Sequence, residues 1–205
     1  KDGKVLFQSN PHMHLFEAAL AWMKIDASPV WKDLSEELYQ LCIQKFIDPT
    51  TGILAEHFNS RWEPEREDGH FVFEPGHHYE WGWLMIQYQK LAPARKLFDL
   101  AEKMGLDGKQ ELVYDEVWSN GLIKKTSSRF WPQCERVKAA VVLEKASSAD
   151  LAMESLFKYY LLPDGHWKDT RLENGTFASI PVKASSLYHI INGISEYVHH
   201  RAKLS

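Results

Sequence analysis

Seven helical segments that alternate in character constrain the fold of this chain more than any other feature. The odd-numbered segments carry histidine, glutamate, glutamine or serine near their N-terminal ends, whereas the even-numbered segments carry ordinary solvent-facing charge. The odd-numbered segments start at positions 10, 76, 132 and 185, which are 66, 56 and 53 residues apart. Such a repeat of helix pairs predicts an inner ring of helices, which bears the polar groups, inside an outer ring. We therefore expect an all-α toroid of which this chain forms only a part.

Turn and capping residues predict where the helices begin and end. Asn10 is a preferred N-cap residue and Pro11 suits the first helical position, while Ser28-Pro29 interrupts the pattern and Pro75-Gly76 precedes the third helix. The predicted helices span approximately residues 10–25, 30–46, 76–91, 92–104, 131–145, 148–160 and 185–201.

Short extended segments lie between the predicted helices. Residues 52–58 and 111–117 have the composition of brief strands. Glu173-Asn-Gly is a hairpin-turn signal between two further extended pieces, at 165–170 and 176–179. We therefore expect short β-hairpins in the loops of one helical domain that spans residues 1–205.

Composition excludes several classes of protein. The 205 residues, 44% of them hydrophobic, are enough for one sizeable core. The net charge of -4 and the lack of a basic stripe argue against nucleic-acid binding. No run of about 18 apolar residues exists, so we expect no membrane span.

Cysteine usage and aromatic content indicate the compartment and the type of ligand. Cys42 and Cys134 are far apart, and residues 1–5 do not resemble a signal peptide. We therefore expect free thiols and a cytoplasmic protein. The aromatic content of 13%, with eight tryptophans, fits a carbohydrate pocket because sugar faces stack on aromatic rings.

The segment from Glu74 to Trp83 contains the densest set of candidate site residues. It places two histidines, Glu80 and three aromatic rings directly after a turn signal. If a helix begins near Gly76, His77 lies in its first turn and Glu80 lies three residues on, on the same face. This spacing predicts a His–Glu proton-transfer pair, with the helix N-terminus favouring the neutral form of His77.

Four motifs, in an order that spans nearly the whole chain, resemble those of the N-acylglucosamine 2-epimerase superfamily. They are Asn10-Pro-His-Met-His-Leu-Phe-Glu17, Pro75-Gly-His-His-Tyr-Glu-Trp81, Phe130-Trp-Pro-Gln-Cys-Glu135 and Ala184-Ser-Ser-Leu-Tyr-His189. The first two are most similar to the mannose isomerase branch. The resemblance implies an (α/α)6 barrel, of which this chain matches the C-terminal half. A pocket arginine supplied by the N-terminal half would then be absent here.

The resemblance also implies the roles of individual residues. His77 and His189 match the acid/base pair that faces across the pocket, with Glu80 beside His77 as a third catalytic residue. His14 matches a pocket histidine that helps to open the sugar ring or binds substrate. The other residues implied to bind substrate are Asn10, Glu17, Trp81, Trp131, Gln133, Glu135 and Trp167. His78 and His166 match no fixed role.

The implied activity is a cofactor-free sugar isomerase that acts by proton transfer at C2 of an unphosphorylated aldose such as mannose. An alternative is C2 epimerisation of an N-acylglucosamine, which is less favoured because the family's epimerases are associated with nucleotides and this chain has no phosphate-binding loop. A non-catalytic carbohydrate-binding domain is the further alternative. The expected partners are a small-molecule sugar and, by analogy with the family, a second copy in a homodimer.

A metal centre is the rival chemical interpretation of the histidines. His12, His14 and the His77–Glu80 segment offer enough ligands for zinc. Residues two apart on a helix point about 200° away from each other, however, so His12 and His14 cannot share one ion. We therefore expect neither a metal nor a cofactor.

Overall fold

The computed structural model describes residues 7–109 and 111–204, so the predicted lack of a signal peptide in residues 1–5 lies outside the described residues. The described residues contain seven α-helices. They are α1 (Ser9–Trp22), α2 (Pro29–Leu41), α3 (Pro75–Gln87), α4 (Leu91–Met104), α5 (Phe130–Val142), α6 (Ala146–Tyr160) and α7 (Ser185–Leu204).

The helices form an inner and an outer row, as the alternating pattern predicts. In the inner row, α3 packs between α1 and α5, and α5 packs between α3 and α7. The outer helices α2, α4 and α6 cover α1, α3 and α5 respectively. Nearly every residue of α3 and α5 from the first turn onward is buried, whereas α2 and α4 bury only one stripe. A helix that is covered on most sides has no solvent-exposed face. Polar residues on α3 and α5 therefore indicate a site rather than a solvated surface.

Helix boundaries differ from the sequence prediction at a few points. Asn10 is not an N-cap: α1 begins at Ser9, after the extended residue Gln8, because the N-terminus of α1 is fixed by the strand that precedes it. This helix ends at Trp22 rather than at residue 25. The second helix continues beyond α2 to Phe46 only as a π-helical turn.

Seven very short strands lie in the loops at one end of the helices. They are β1 (Phe7–Gln8), β2 (His57–Phe58), β3 (Val72–Phe73), β4 (Glu116–Trp118), β5 (Ile123–Lys125), β6 (Ser128–Arg129) and β7 (Thr170–Arg171). They form the antiparallel pairs β1–β2, β3–β4, β4–β5 and β6–β7. Because β1, β3 and β6 directly precede α1, α3 and α5, this pairing brings the N-termini of the inner helices to one end.

The predicted strands are only partly correct. In 52–58 and 111–117 only the last two residues of each belong to a strand, since each segment mainly bridges back to the end of an outer helix. The hairpin turn at Glu173-Asn-Gly is confirmed: Arg171 pairs with Phe177 around it, and Gly175 has a φ of 84°. A positive φ is readily adopted by glycine, which has no Cβ.

A structural repeat links each outer helix to the next inner one. The bridges Ile47–Leu54, Leu106–Val113 and Leu161–Trp167 follow α2, α4 and α6. Two residues beyond each bridge lies a buried acidic side chain. These side chains are Glu56, Asp115 and Asp169. The predicted repeat of helix pairs is therefore confirmed, and each repeat delivers one buried carboxyl group to the end where the inner helices begin.

Two compositional expectations can be compared with the described part of the chain. Cys42 and Cys134 are both buried and free, as predicted. Among the described residues, no helix is long and apolar enough to cross a membrane.

A buried ionic network ties the two rows together. Arg136 of α5 is 1% exposed and donates through Nε and Nη2 to the carboxylate of Glu102 in α4. The same carboxylate accepts hydrogen bonds from Tyr79 of α3 and Ser148 of α6. One carboxylate therefore connects four helices.

Glu102→Ala is expected to lower the free energy of unfolding by about 3 kcal/mol, because it removes the carboxylate that balances the buried charge of Arg136. Denaturant unfolding of the full-length protein measures the change. Glu37→Ala, on the exposed face of α2, is the matched control and should change stability little. Equal effects of the two substitutions would contradict this account of the network.

Candidate active site

A cavity of about 420 Å³ opens where the inner helices begin. Side chains from all four inner helices line it, together with residues from the loops that precede them. The lining residues are Asn10, His14, Glu17, Glu74, His77, Glu80, Arg129, Trp131, Asp169, Lys183, Ser185, Ser186, Tyr188 and His189. The predicted site residues Asn10, His14, Glu17, His77, Glu80, Trp131 and His189 are therefore brought together.

His77 is paired with a carboxylate, but that carboxylate is Glu56 rather than Glu80. The Nδ1–H of His77 donates to Glu56 Oε2 at 2.8 Å. Glu56 is buried and also accepts from Ser9 Oγ at 2.8 Å and from the backbone N–H of Glu74 at 3.0 Å. The expected His77–Glu80 pair is thus wrong, since the ring turns toward the loop that carries Glu56.

The charge of His77 also differs from the sequence prediction. Burial lowers its pKa, but the carboxylates of Glu56 and Glu74 outweigh burial and raise the pKa to about 9. The pKa of Glu56 is lowered: burial raises it, and the charge and hydrogen bond of His77 outweigh burial. These interactions favour the imidazolium form of His77 near neutral pH, whereas the helix N-terminus alone was expected to favour the neutral form.

His189 forms a second histidine–carboxylate pair on the opposite inner helix. Its Nδ1–H donates to Glu135 Oε1 at 2.7 Å. Glu135 is fully buried, and its Oε2 lies 2.8 Å from the ammonium of Lys138, one turn further along α5. Burial raises the pKa of Glu135, but the charge of Lys138 and the hydrogen bond from His189 more than reverse this, so its pKa is lowered.

Trp131 separates the two histidines. Its ring centroid lies 5.1 Å from that of His77 and 5.3 Å from that of His189. The close approach of Gly76 fixes this position, because a Cβ at Gly76 would lie only 2.6 Å from the indole ring. Both histidines line the cavity beside one aromatic wall and direct Nδ1 to a buried glutamate, so neither Nε2 atom has a hydrogen-bond partner within the described residues.

Glu80 contributes a carboxyl group to the cavity wall. It is buried, and its Oε1 accepts no hydrogen bond within the described residues. Burial and the neighbouring carboxylate of Glu135 raise the pKa of Glu80 well above its usual range. This shift favours the neutral carboxylic acid form of Glu80, which is able to donate a hydrogen bond.

His14 and Glu17 form the outer edge of the cavity. His14 Nδ1 lies 3.7 Å from Glu17 Oε2 and 3.9 Å from Glu80 Oε1, and the His14 side chain is 48% exposed. The hydroxyl of Tyr188 donates to Glu17. Burial raises the pKa of Glu17, but the nearby ring of His14 and the hydrogen bond from Tyr188 reverse this and lower it.

A charged group on the opposite edge was missed by the sequence prediction. Arg129 donates to Asp115 Oδ1 at 2.9 Å and to Glu74 Oε2 at 2.6 Å, and lies 5.3 Å above the ring of Trp131. The sequence prediction assigned a pocket arginine only to the N-terminal half of the barrel. The carboxylate of Asp169, by contrast, is buried with an Oδ1 that accepts no hydrogen bond within the described residues.

Four of the predicted substrate-binding residues do not line the cavity. Glu135 lies beneath it and supports His189. Trp81 is fully buried against Phe16, and Trp167 packs on Phe130. Gln133 is buried and bonds to the backbone of Val113 and to Ser128. The positions of Trp81, Trp167 and Gln133 give them packing roles within the helical core and loops.

The two histidines without an assigned role, His78 and His166, do not line the cavity. His78 is buried, and burial lowers its pKa to about 4. Its Nε2 accepts from the backbone N–H of Leu54. His166 is exposed and lies 3.2 Å from Asp164.

Each of two groups of side chains could hold a metal ion. In each group the ligand atoms lie within 4.8 Å of one another. The groups are His14, Glu17 and Glu80, and Glu80, Glu135 and His189. In the second group the ammonium of Lys138 already contacts Glu135 and supplies a positive charge there. His12 belongs to neither group: it bonds to Gln8 O and packs on Phe46, so it points away from His14 as helix geometry predicts.

A sequence signal could have found the missed acids. Glu56, Asp115 and Asp169 each follow an outer helix and stand two residues after a buried or half-buried hydrophobic residue, in Leu-Ala-Glu, Val-Tyr-Asp and Trp-Lys-Asp. Lys138 stands three residues after Glu135, on the same face of α5. A lysine on a helix buried on all sides requires an anionic partner.

Comparison with known proteins identifies the family. The model of the N-acylglucosamine 2-epimerase (GlcNAc 2-epimerase) family matches residues 3–193. Mannose-6-phosphate isomerase of Rhizobium meliloti (strain 1021) is 34% identical, over 92% of this chain and 54% of the relative. D-mannose isomerase of Marinomonas mediterranea (strain ATCC 700492 / JCM 21426 / NBRC 103028 / MMB-1) is 27% identical, over 74% of this chain and 42% of the relative. The chain thus spans about half the length of the curated relatives it matches.

Solved structures with the same fold agree with this match. A crystal structure of D-mannose isomerase has a TM-score of 0.80 and 23% identity, over 94% of this chain and 56% of that chain. Cellobiose 2-epimerase from Bacillus thermoamylovorans B4167 has a TM-score of 0.79 and 21% identity, over 94% of this chain and 53% of that chain. At this level of identity the likeness establishes the fold alone. This chain belongs to the N-acylglucosamine 2-epimerase family and forms part of its (α/α)6 barrel.

Proposed function

We propose that the protein containing this chain is a cofactor-free sugar isomerase that interconverts mannose and fructose. The observation that carries the proposal is the pair of cavity histidines beside Trp131, each held by a buried glutamate. Relatives named mannose-6-phosphate isomerase and D-mannose isomerase support this class of activity.

The two histidines are suited to different tasks. His189 removes the proton from C2 of the open-chain aldose with Nε2, while the His77 imidazolium donates its Nε2 proton to the carbonyl oxygen at C1. The resulting enediol then loses its O2 proton to His77, and His189 returns its proton to C1. The products are the ketose and both histidines in their starting states, so no further reactant is needed.

Neutral and charged groups around the histidines bind the sugar hydroxyls. Glu80 as a neutral acid donates a hydrogen bond to the sugar. Asp169 Oδ1 accepts one from a sugar hydroxyl, which takes the place of the water that this oxygen loses on burial. His14, Glu17 and Asn10 line the entrance, where ring opening takes place. The guanidinium of Arg129 is already balanced by Glu74 and Asp115, which favours an uncharged sugar over a sugar phosphate.

Epimerisation at C2 of an N-acylglucosamine is the second candidate, favoured by the family match itself. It requires the same base and acid on opposite faces of C2. Incubation of the full-length protein with mannose and with N-acetylglucosamine, followed by product analysis, separates the two: fructose supports the isomerase and N-acetylmannosamine supports the epimerase. If neither product forms, a non-catalytic sugar-binding domain is favoured.

We further propose that the protein acts in the cytoplasm, where the buried thiols of Cys42 and Cys134 stay reduced. A homodimer remains our proposal for its assembly, by analogy with the family.

Replacing either cavity histidine by asparagine is expected to reduce kcat about 10²- to 10⁴-fold, because each variant loses one partner of the proton transfer. Exchange of the C2 proton of mannose in deuterated water measures the loss. His166→Asn, on an exposed loop, is the matched control. Retained exchange in both His77→Asn and His189→Asn would refute the assignment.

The charge of His77 predicts a pH dependence. Because its pKa is raised to about 9, activity that needs the imidazolium should persist to that pH and then fall. The stability from the His77–Glu56 pair should likewise be complete below the ordinary value of 6.5 and be lost as the pH rises through about 9.

Glu56→Gln is expected to move the alkaline fall in kcat to lower pH by at least about one unit, since burial is then no longer opposed by the carboxylate. Glu65→Gln, which lies outside the cavity, is the control and should keep the wild-type profile. An unchanged alkaline limb in folded Glu56→Gln would contradict the role assigned to the pair.

A further inference from the structure

The two histidine–glutamate pairs of the cavity balance their charges differently. Glu56 is held by uncharged donors, Ser9 Oγ and the N–H of Glu74, so the positive charge opposite it resides on His77. Glu135 already has a cation beside it, the ammonium of Lys138. Glu135 therefore does not require a protonated His189 to balance its charge.

Lys138 is an unusual residue for this position. Its side chain is 0% exposed, on a helix that is buried on nearly every side. Its Nζ lies 2.8 Å from Glu135 Oε2 and 3.1 Å from Glu135 Oε1, and 4.0 Å from the ring centroid of Trp83. Burial of an ammonium is costly unless the charge is paired, and carboxylate and aromatic ring together provide that compensation.

Lys138 and His189 contact the same oxygen atom of Glu135. Glu135 Oε1 lies 2.7 Å from His189 Nδ1 and 3.1 Å from Lys138 Nζ. Opposite or like charges at such separations shift the ionisation of a neighbour by about one unit or more. Without Lys138, the buried Glu135 would draw a proton onto His189, as Glu56 does with His77.

Several other groups face this cluster from the surrounding helices. They are His14 and Glu17 on α1, His77 and Glu80 on α3, Cys134 on α5 and Tyr188 on α7. Burial and the neighbouring Glu135 raise the pKa of Glu80, whereas the charge of Lys138 outweighs burial and lowers the pKa of Glu135. Lys138 contacts Glu135 rather than Glu80, which explains why the pKa values of the two buried acids shift in opposite directions.

We propose that Lys138 is a positioning residue for the isomerisation, although it does not line the cavity. Its ammonium keeps Glu135 as a carboxylate that holds the Nδ1–H of an uncharged His189, so that Nε2 is free to take the C2 proton. The inference rests on the proposed function for its catalytic meaning, but its electrostatic content can be measured without a substrate.

The test follows the histidine rings of the full-length protein by ¹⁵N NMR as a function of pH, with His189→Asn to identify the His189 signals. In Lys138→Met, His189 should take up its proton at a pH at least about one unit higher than in the wild type. Lys138→Arg, which keeps the charge, should restore most of the wild-type behaviour. Lys145→Gln, an exposed lysine just beyond α5, is the control for loss of charge alone.

Lys138→Gln provides the same comparison if Lys138→Met does not fold, because the amide can still bond to Glu135 without a charge. An unchanged protonation midpoint of His189 in a folded, uncharged variant overturns the inference, even if activity falls, since that pattern indicates packing alone. The acid limb of the kcat/KM profile should move in the same direction as the NMR midpoint. If the midpoint moves but the wild type isomerises no aldose, the proposed function fails and the electrostatic role of Lys138 stands.

Discussion

The carboxylate of Glu56 connects the segments that make one wall of the cavity. Its side chain accepts hydrogen bonds from Ser9 at the start of α1, from the N–H of Glu74 before α3 and from the ring of His77. Its backbone bonds to Ser9 and Val72, which places it between β1 and β3. Because a buried carboxylate is stable only when its oxygens are satisfied, the same interactions that align two inner helices also fix the charge of His77.

The repeat of the barrel explains how one architecture supplies different chemistry at equivalent places. Each outer helix is followed by a bridge and then by a buried acid, and the three acids have three different surroundings. Glu56 accepts a hydrogen bond from a histidine, Asp115 accepts one from Arg129, and Asp169 lines the cavity with an Oδ1 that accepts no hydrogen bond within the described residues. On the far side, Glu135 has Lys138 as its counter-ion and His189 as its hydrogen-bond donor. Two histidine–glutamate pairs of similar geometry thereby have different charged neighbours, and the proposed reaction requires one base and one acid.

Local patterns in the sequence predicted the helices and the cavity better than the partners of its side chains. Alternation of polar and plain helices was sufficient to predict the two rows, and four motifs were sufficient to place His77 and His189 on one cavity. Glu80 was assigned to His77 because the two lie one turn apart, whereas the ring instead reaches Glu56, 21 positions earlier in the chain. Contacts of this kind depend on loop closure and cannot be derived from helical spacing. Trp81 and Gln133 stand in motifs whose other residues line the cavity, but their own side chains point into the core. Nearby positions on a helix face different directions, so membership of a motif does not place a side chain in the cavity.

The central claim is that the two histidines flank the reacting carbons beside Trp131. A crystal structure of the full-length protein with mannitol, an open-chain analogue of the sugar, tests it most directly. We predict that C1 and C2 of the alditol lie between the Nε2 atoms of His77 and His189, within about 3.5 Å of at least one of them. An alditol bound in this cavity with both carbons out of reach of either ring, or bound outside the cavity, would contradict the account.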